Sequence, residues 1–510
     1  MNAGTDSSNG RAEAQGAVAE LMLDPATHDG AETERIDTHI STVFLAGDHV
    51  FKMKRAVHFG YLDFSSLEER RQACEAEVRI NRITAPDIYI TVVPVTRGAD
   101  GVLALDGGGE VVEWLVKMRR FDQDMLFDRL AQAGKLGAGE ARGLADTIFE
   151  FHDRVPPADA DGGAIVERVI RGNAAEMAAQ SVLEPDLVGR LEEESLAWLE
   201  RVRPMLDDRS RSGWVRRCHG DLHLRNIVLL DGSPTLFDAI EFSEELATID
   251  VLYDLAFLLM DLEHRALNET ANAVMNRYLM RAGDYSGLAA LPLFLSLRAA
   301  IRAHTTAAAS GGGEQADEAR AYLELALRFL APAPACLVAI GGLSGTGKST
   351  VAAHLARRLG RQPGALVLRS DGIRKRLQGV APETALGAEA YTHDVTREVY
   401  STIAVEAGTA LDAGFSAVAD AVFGRPDERA AIQAEAQARG LPFVGVWLEA
   451  PAELLADRIA GRADDASDAD RAVMEQQRAR IAPPDDWRRL DATADAADLA
   501  VEIRRLTGDA

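Results

Sequence analysis

The octet Gly342-Leu343-Ser344-Gly345-Thr346-Gly347-Lys348-Ser349 constrains the fold of this chain more than any other stretch. It has the form G-x-x-x-x-G-K-S. The apolar run Cys336–Ile340 before it reads as a buried strand, and Ser349–Leu359 after it reads as a helix. A glycine-rich turn between strand and helix lets the backbone wrap an oxyanion, with loop N–H groups and the helix N-terminus facing phosphate. Gly342, Ser344, Gly345, Thr346 and Gly347 are the expected cradle, followed by Lys348, Ser349 and Thr350. Lys348 is expected to reach the β- and γ-phosphates of ATP, and Ser349 to hold Mg²⁺. Further strands are expected at 365–368, 417–421 and 443–447, alternating with helices. That alternation predicts a parallel α/β sheet.

A second phosphate-handling pattern lies well upstream. His219-Gly220-Asp221-Leu222-His223-Leu224-Arg225-Asn226 matches H-x-D-x-x-x-x-N, the spacing of the protein-kinase catalytic loop. There the Asp accepts the substrate hydroxyl proton and the Asn binds Mg²⁺, so Asp221 is the expected base and Asn226 a metal ligand. Asp238, ending the apolar run Leu236-Phe237, is placed for a second metal position.

The residues before this loop read as a kinase small lobe. Thr38–Ala46 and His49–Lys54 are expected strands joined at Gly47-Asp48, and Leu67–Ile83 an amphipathic helix stopped by Ala85-Pro86. Strands follow at 88–95 and 111–119. Lys52 and Lys54 share parity, so both are expected on one face. Lys52 follows the apolar pair Val50-Phe51 and is preferred as the nucleotide lysine. Its expected partner is Glu77 rather than Glu75. No glycine-rich loop stands over this site; Gly47 is alone. Residues 13–23 read as a short helix and 1–12 as a disordered lead. The stretches 125–206 and 249–329 have helical periodicity, with a break at 307–313.

At 510 residues the chain exceeds one core, so two or three domains are expected. Ala331-Pro-Ala-Pro-Ala335 reads as a stiff hinge. It gives a lead over 1–34, a kinase-like domain over 35–330, the hinge at 331–335 and an α/β domain over 336–510. The formal net charge of −25 argues against a nucleic-acid partner, which needs a basic face. The three isolated cysteines, Cys74, Cys218 and Cys336, form neither a zinc pattern nor a disulfide frame and point to a reducing, cytoplasmic setting. No membrane partner is expected: the most apolar helix, 251–262, is interrupted by Asp254 and Asp261, and the start of the chain lacks a secretory pattern.

Past the catalytic loop, Asp238-x-x-Glu241 and Asp250-x-x-x-Asp254-Leu-Ala complete a pattern that resembles the aminoglycoside phosphotransferase family over roughly residues 35–330. The resemblance implies a two-lobed, kinase-like α+β fold. It leaves the acceptor open, because that superfamily also phosphorylates choline, homoserine and sugars. His223, and Arg225 beside Asn226, depart from the pattern. Arg225 either offsets metal-site charge or is a surface residue.

In the C-terminal part, Asp371 in Ser370-Asp371-Gly372-Ile373-Arg374-Lys375 ends the second strand, at the sheet edge where ligands bind. It is the expected acceptor base, with Arg374 gripping a phosphate. This stretch resembles the P-loop small-molecule kinases related to zeta toxins, gluconate kinases and polynucleotide kinases, over residues 335–505. The resemblance makes Asp420, at the end of Val418–Asp420 and followed by Arg425 and Arg429, a metal-site carboxylate. It makes Arg458 and Arg462, between Trp447-Leu-Glu-Ala-Pro451 and Asp468, lid arginines. The tandem as a whole, including Phe59-Gly-Tyr-Leu-Asp-Phe-Ser65, resembles bifunctional bacterial proteins that fuse the two domains. The expected function is ATP- and Mg²⁺-dependent phosphoryl transfer to a hydroxyl of a small metabolite at two nucleotide sites. The alternatives are one active domain with a regulatory nucleotide-binding partner, and a non-catalytic interaction protein.

Overall fold

The computed structural model describes residues 4–59, 62–310, 312–461 and 467–508. Arg462, and Gly60 and Tyr61 of the Phe59–Ser65 segment, lie outside the described residues. Contacts divide the chain into two compact units. One comprises Met1–Leu136, Glu150–Ala160 and Gly213–Asp254; the other comprises Gly137–Phe149, Asp161–Ser212 and Leu255–Ala510.

The first unit is built on a six-stranded antiparallel sheet. Its order is Thr33–Asp37, Ser41–Ala46, His49–Lys54, Glu110–Arg119, Tyr89–Arg97, Leu103–Leu105. Gly47-Asp48 closes the hairpin Ala46↔His49 as a two-residue turn. Strand side chains alternate between faces, and both faces here are covered. Phe44, Phe51, Met53 and Leu115 pack against Val18, Ala19 and Met22 of the first helix. Leu45, Val50, Val116 and Met118 pack against Cys74 and Val78 of the helix Leu67–Asn81. That helix starts on a capping box: Glu69 N–H donates to Ser66 Oγ at 3.2 Å, and Ser66 N–H to Glu69 Oε2 at 2.9 Å.

Two expectations are corrected here. The first helix spans Gly4–Leu23, so residues 4–12 are helical rather than a disordered lead. A helix fixed at one end by buried Val18, Ala19 and Met22 extends backward by propagation, which costs far less than nucleation. The strand expected from Thr38 begins at Ser41, because Thr38–Ile40 turn the chain back onto the strand Thr33–Asp37. Thr-Glu-Arg-Ile-Asp is mostly exposed, so it carries no alternation that a sequence reading can detect.

The second unit holds a five-stranded parallel sheet in the order Leu366–Arg369, Ala417–Asp420, Leu337–Gly342, Phe443–Glu449, Arg488–Asp491. The central strand Leu337–Gly342 is buried throughout, as an apolar run in a parallel sheet covered on both faces must be. The fifth strand, Arg-Arg-Leu-Asp, has one apolar residue and no legible pattern. Helices from Leu255 onward group with this sheet, so Ala331–Ala335 lies inside the second unit. The longest apolar helix is not the expected 251–262. Ser286–Ala309 reaches 24 residues at hydropathy 1.3, long and apolar enough to cross a membrane by length and composition, but 78% of its apolar window is buried. It packs on the helices Glu314–Leu330 and Gly162–Ala178. Apolarity on all sides follows from that burial.

Candidate active sites

In the first unit, Lys52 lies on the third strand and Glu77 on the helix behind it. Lys52 Nζ is 2.9 Å from Glu77 Oε1 and 2.6 Å from Asp238 Oδ1. Lys54, on the same face as parity requires, is fully buried, 2.5 Å from Glu77 Oε2, and also paired with Glu241. Two lysines therefore share Glu77. Burial opposes the charge on Lys52, but the carboxylates of Asp238 and Glu77 outweigh it and hold the ammonium well above its ordinary value. Burial alone would raise the carboxyl of Glu77; Lys52 and Lys54 reverse that and hold it at about 2.

The helix Leu67–Asn81 also fixes the segment that carries Asp238. Asn81 Oδ1 accepts Ala239 N–H at 2.8 Å, and Tyr89 Oη accepts Asp238 N–H at 3.1 Å. Asp238 adopts φ of +61°, a left-handed conformation uncommon outside glycine. On the catalytic loop, Asn226 Nδ2 donates to Asp221 Oδ2 at 2.9 Å and to Asp221 O at 3.0 Å. The hairpin Ile227–Leu230/Ser233–Leu236 returns the chain, so Phe237 N–H meets Asn226 O at 3.0 Å and Asp238 follows. Behind the loop, Asp254 takes His219 N–H at 3.1 Å on Oδ2 and Gly220 N–H at 2.8 Å on Oδ1, while His152 Nε2 meets Oδ2 at 3.1 Å. Burial holds His219 below its ordinary value. A neutral ring then donates Nε2–H to Phe237 O at 2.9 Å. Arg225 is 62% exposed and lies 3.9 Å from Asp128.

In the second unit, Gly342, Gly345 and Gly347 have φ of +141°, +89° and +87°. A Cβ at Gly345 would lie 2.7 Å from Leu455 O, so the loop closes only with glycine there. Lys348 Nζ donates to Leu343 O at 3.0 Å, and Thr346 Oγ1 to the same oxygen at 2.9 Å. The loop opens into a cleft of about 940 Å³ whose lining gathers Lys348, Ser349, Asp371, Arg374, Asp420 and Arg458. Ser344, Gly345, Thr346, Gly347 and Thr350 also line it. Burial, with Asp420 nearby, raises the carboxyl of Asp371 above its ordinary value, against the pull of Arg369. Arg369 Nε is 3.5 Å from Asp420 Oδ2. Arg374 is 5% exposed, donates to Ala390 O at 2.7 Å, and lies over the Tyr391 ring at 4.7 Å. Arg458 donates to Thr346 O at 3.4 Å and to Ala492 O at 3.0 Å, bracing the phosphate loop.

Three features escaped the sequence reading. Asp468 takes Lys375 Nζ at 2.8 Å, Tyr391 Oη at 2.6 Å and Leu386 N–H at 3.2 Å, tying the segment after Asp371 into the cleft wall. Lys54 pairs with Glu77 no less closely than Lys52 does; its shared parity was the available signal. His152, which orients Asp254, carried no local signal. The three cysteines are buried and form no disulfide, and burial pushes the Cys74 thiol up to about 12, far from the reactive range.

Fold and sites together define a chain of two kinase-like parts. Residues 62–291 match the phosphotransferase enzyme family and residues 337–484 match an AAA domain. Over 468 residues the chain is 30% identical to the uncharacterized proteins Rv2004c and MT2060 of Mycobacterium tuberculosis and Mb2027c of Mycobacterium bovis, covering 89% of this chain and 91% of each relative. It belongs to their family. Among solved structures it is similar to a choline/ethanolamine kinase family protein from Mesorhizobium loti, at 15% identity and TM-score 0.39, covering 62% of this chain and 94% of that one. It is also similar to the APS kinase CysC of Mycobacterium tuberculosis, at 20% identity and TM-score 0.27, covering 34% and 98%.

Proposed function

We propose that this protein is an ATP-dependent phosphotransferase with two nucleotide sites, each transferring the γ-phosphoryl group to a hydroxyl of a small metabolite. The observation that carries the reading is the cleft that gathers Lys348, Ser349, Asp371 and Asp420 around one glycine loop. The first unit supports it with its own set: Lys52 between Glu77 and Asp238, and Asp221 beside Asn226.

At each site an acceptor oxygen forms a bond to the γ-phosphorus as the bond to the β–γ bridging oxygen breaks. The acceptor proton passes to Asp221 or to Asp371, and ADP leaves. Lys52 and Lys348 bind and orient the phosphates; Arg374 and Arg458 offset charge in the second cleft. The donor sets are hard oxygens, Asn226 with Asp238 and Ser349 with Asp420, which suit Mg²⁺. When bound, Mg²⁺ neutralises charge on the phosphate oxygens. The three buried cysteines, none in a disulfide, fit a cytoplasmic protein, and the acidic balance fits a small-molecule acceptor better than a nucleic acid.

The test is a phosphorylation screen of a small-metabolite extract with γ-labelled ATP, using the full chain and its Asp221→Asn and Lys348→Ala variants. Label transfer that each substitution reduces in part supports two working sites. Transfer abolished by one substitution and untouched by the other leaves one active domain with a nucleotide-binding partner. No transfer and no ATP turnover in the full chain would defeat the proposal.

A further inference from the structure

The helix Asn268–Ala282 belongs to the stretch that matches the phosphotransferase family, yet it is built onto every element that presents Asp371. At the strand Leu366–Arg369, Asn276 Oδ1 accepts Val367 N–H at 2.7 Å, and Asn276 Nδ2 donates to Ala365 O at 3.2 Å. One turn earlier, Asn272 Nδ2 donates to Ala365 O at 3.1 Å and Pro363 O at 3.0 Å. At the helix Ser370–Leu377, a Cβ on Gly372 would run into Met280 Sδ. The glycine that follows Asp371 thus admits the neighbouring helix. Arg376 donates to Met280 O at 3.4 Å and pairs with Glu406. Beyond that helix, Arg277 holds Glu383 through two bonds, at 2.8 and 3.1 Å, and Asp146 through two more, both at 2.7 Å. Asn276 and Arg277 lie on adjacent positions, one gripping the strand before Asp371 and the other the segment after it. All these residues fall within one compact unit.

We infer that Asn276 and Arg277 are positioning residues of the C-terminal site: they set the strand and segment that aim Asp371 at the acceptor, while leaving the phosphate loop alone. The inference rests on the reading of Asp371 as the acceptor base. The physical ground is that Asp371 follows an edge strand, whose outer hydrogen-bonding row meets no other strand among the described residues. The two asparagines occupy that row. Side-chain amides satisfy both a backbone donor and a backbone acceptor there. Bidentate guanidinium–carboxylate pairs add directional restraint to the following segment. An attack geometry lost by about an ångström costs roughly 10²-fold in rate, whereas nucleotide affinity is set by the glycine loop and Lys348.

The test uses the full chain carrying Asp221→Asn, so that turnover reports the C-terminal site. Mg·ATP turnover with γ-labelled ATP is measured with the metabolite extract present, alongside Mg·ATP titration by calorimetry, for added Asn276→Ala and Arg277→Met. The expected result is a fall in kcat of at least tenfold, with KM and Kd for Mg·ATP within twofold and a binding stoichiometry still at two. A kcat within twofold of the parent overturns the inference. So does loss of Mg·ATP affinity or stoichiometry in step with kcat, which makes the helix a support for the fold in general. A parent whose turnover equals that of the same chain with Lys348→Ala added defeats the phosphotransferase reading of this site instead. Hydrogen exchange then decides the inference: faster exchange confined to 366–383 in the variants supports it, and unchanged exchange there overturns it.

Discussion

Lys52 donates through Nζ to Asp238 Oδ1 at 2.6 Å, although 186 positions separate the two in sequence. The contact joins the strand that carries the proposed phosphate lysine to the proposed metal ligand. Lys52→Ala removes the cation between two carboxylates and leaves Lys54 to hold Glu77 alone. Turnover by the first site, isolated in a chain carrying Lys348→Ala, is expected to fall roughly 10²–10³-fold. A drop smaller than fivefold would return the role of nucleotide lysine to Lys54.

The Glu77 cluster also predicts a pH dependence. Its carboxyl stands at about 2, depressed from the ordinary 4.5, so its contribution to stability is fully present above pH 4.5 and is lost as pH falls through 2. Glu77→Gln should destabilise the first unit at neutral pH, and that deficit should shrink on acidification through this window. Exchange rates along His49–Lys54, measured in both proteins from pH 6 downward, check the sign. A deficit that grows toward acid contradicts the depressed value.

Asp221→Asn should leave ATP affinity at the first site intact and reduce its phosphotransfer by ~10²–10⁴, the usual loss for a missing general base. Asn226 Nδ2 donates to Asp221 in the present arrangement. The substitution keeps an amide oxygen to accept that contact, so the loop is expected to hold its shape. Equal transfer by both proteins would remove Asp221 from the chemistry.

Lys348→Ala should remove nucleotide binding by the C-terminal cleft while the parallel sheet stays folded, because Lys348 Nζ donates within the loop, to Leu343 O at 3.0 Å. Calorimetric titration of Mg·ATP into the variant, with circular dichroism as the folding control, measures both. Binding at wild-type strength would mean the loop is not the nucleotide site.

Asp371→Asn separates acceptor activation from metal binding. Mg²⁺-dependent ATP affinity should persist and transfer to the acceptor should stop. Because burial raises the Asp371 carboxyl above its ordinary value of 3.8, the acid limb of transfer should lie above that pH. Loss of the Mg²⁺ dependence in the variant would reassign Asp371 to the metal.

Much of this architecture was legible because it is written locally. The glycine loop needs particular dihedrals at adjacent positions, and Lys52, Lys54 and Glu77 declare their faces by strand and helix periodicity. The strands Thr33–Asp37 and Arg488–Asp491 were not legible: both lie at sheet edges and carry charge where interior strands carry valine and leucine. Nor was the seat of the helix Asn268–Ala282, since asparagines on a helix read as surface residues until a strand is found opposite them. Proline and alanine at 331–335 mark a change of motif; packing, which is not a local property, divides the chain elsewhere.

The asparagine-covered strand bears on how this protein can be handled. Leu366–Arg369 ends the parallel sheet, and its Val367 N–H and the carbonyls of Ala365 and Pro363 just before it are held by Asn276 and Asn272. Cutting the chain at 331–335 would strip that cover and bare a ladder ready to accept a strand from another molecule. The isolated C-terminal piece should therefore self-associate through this edge, and a soluble version should begin upstream of Asn268.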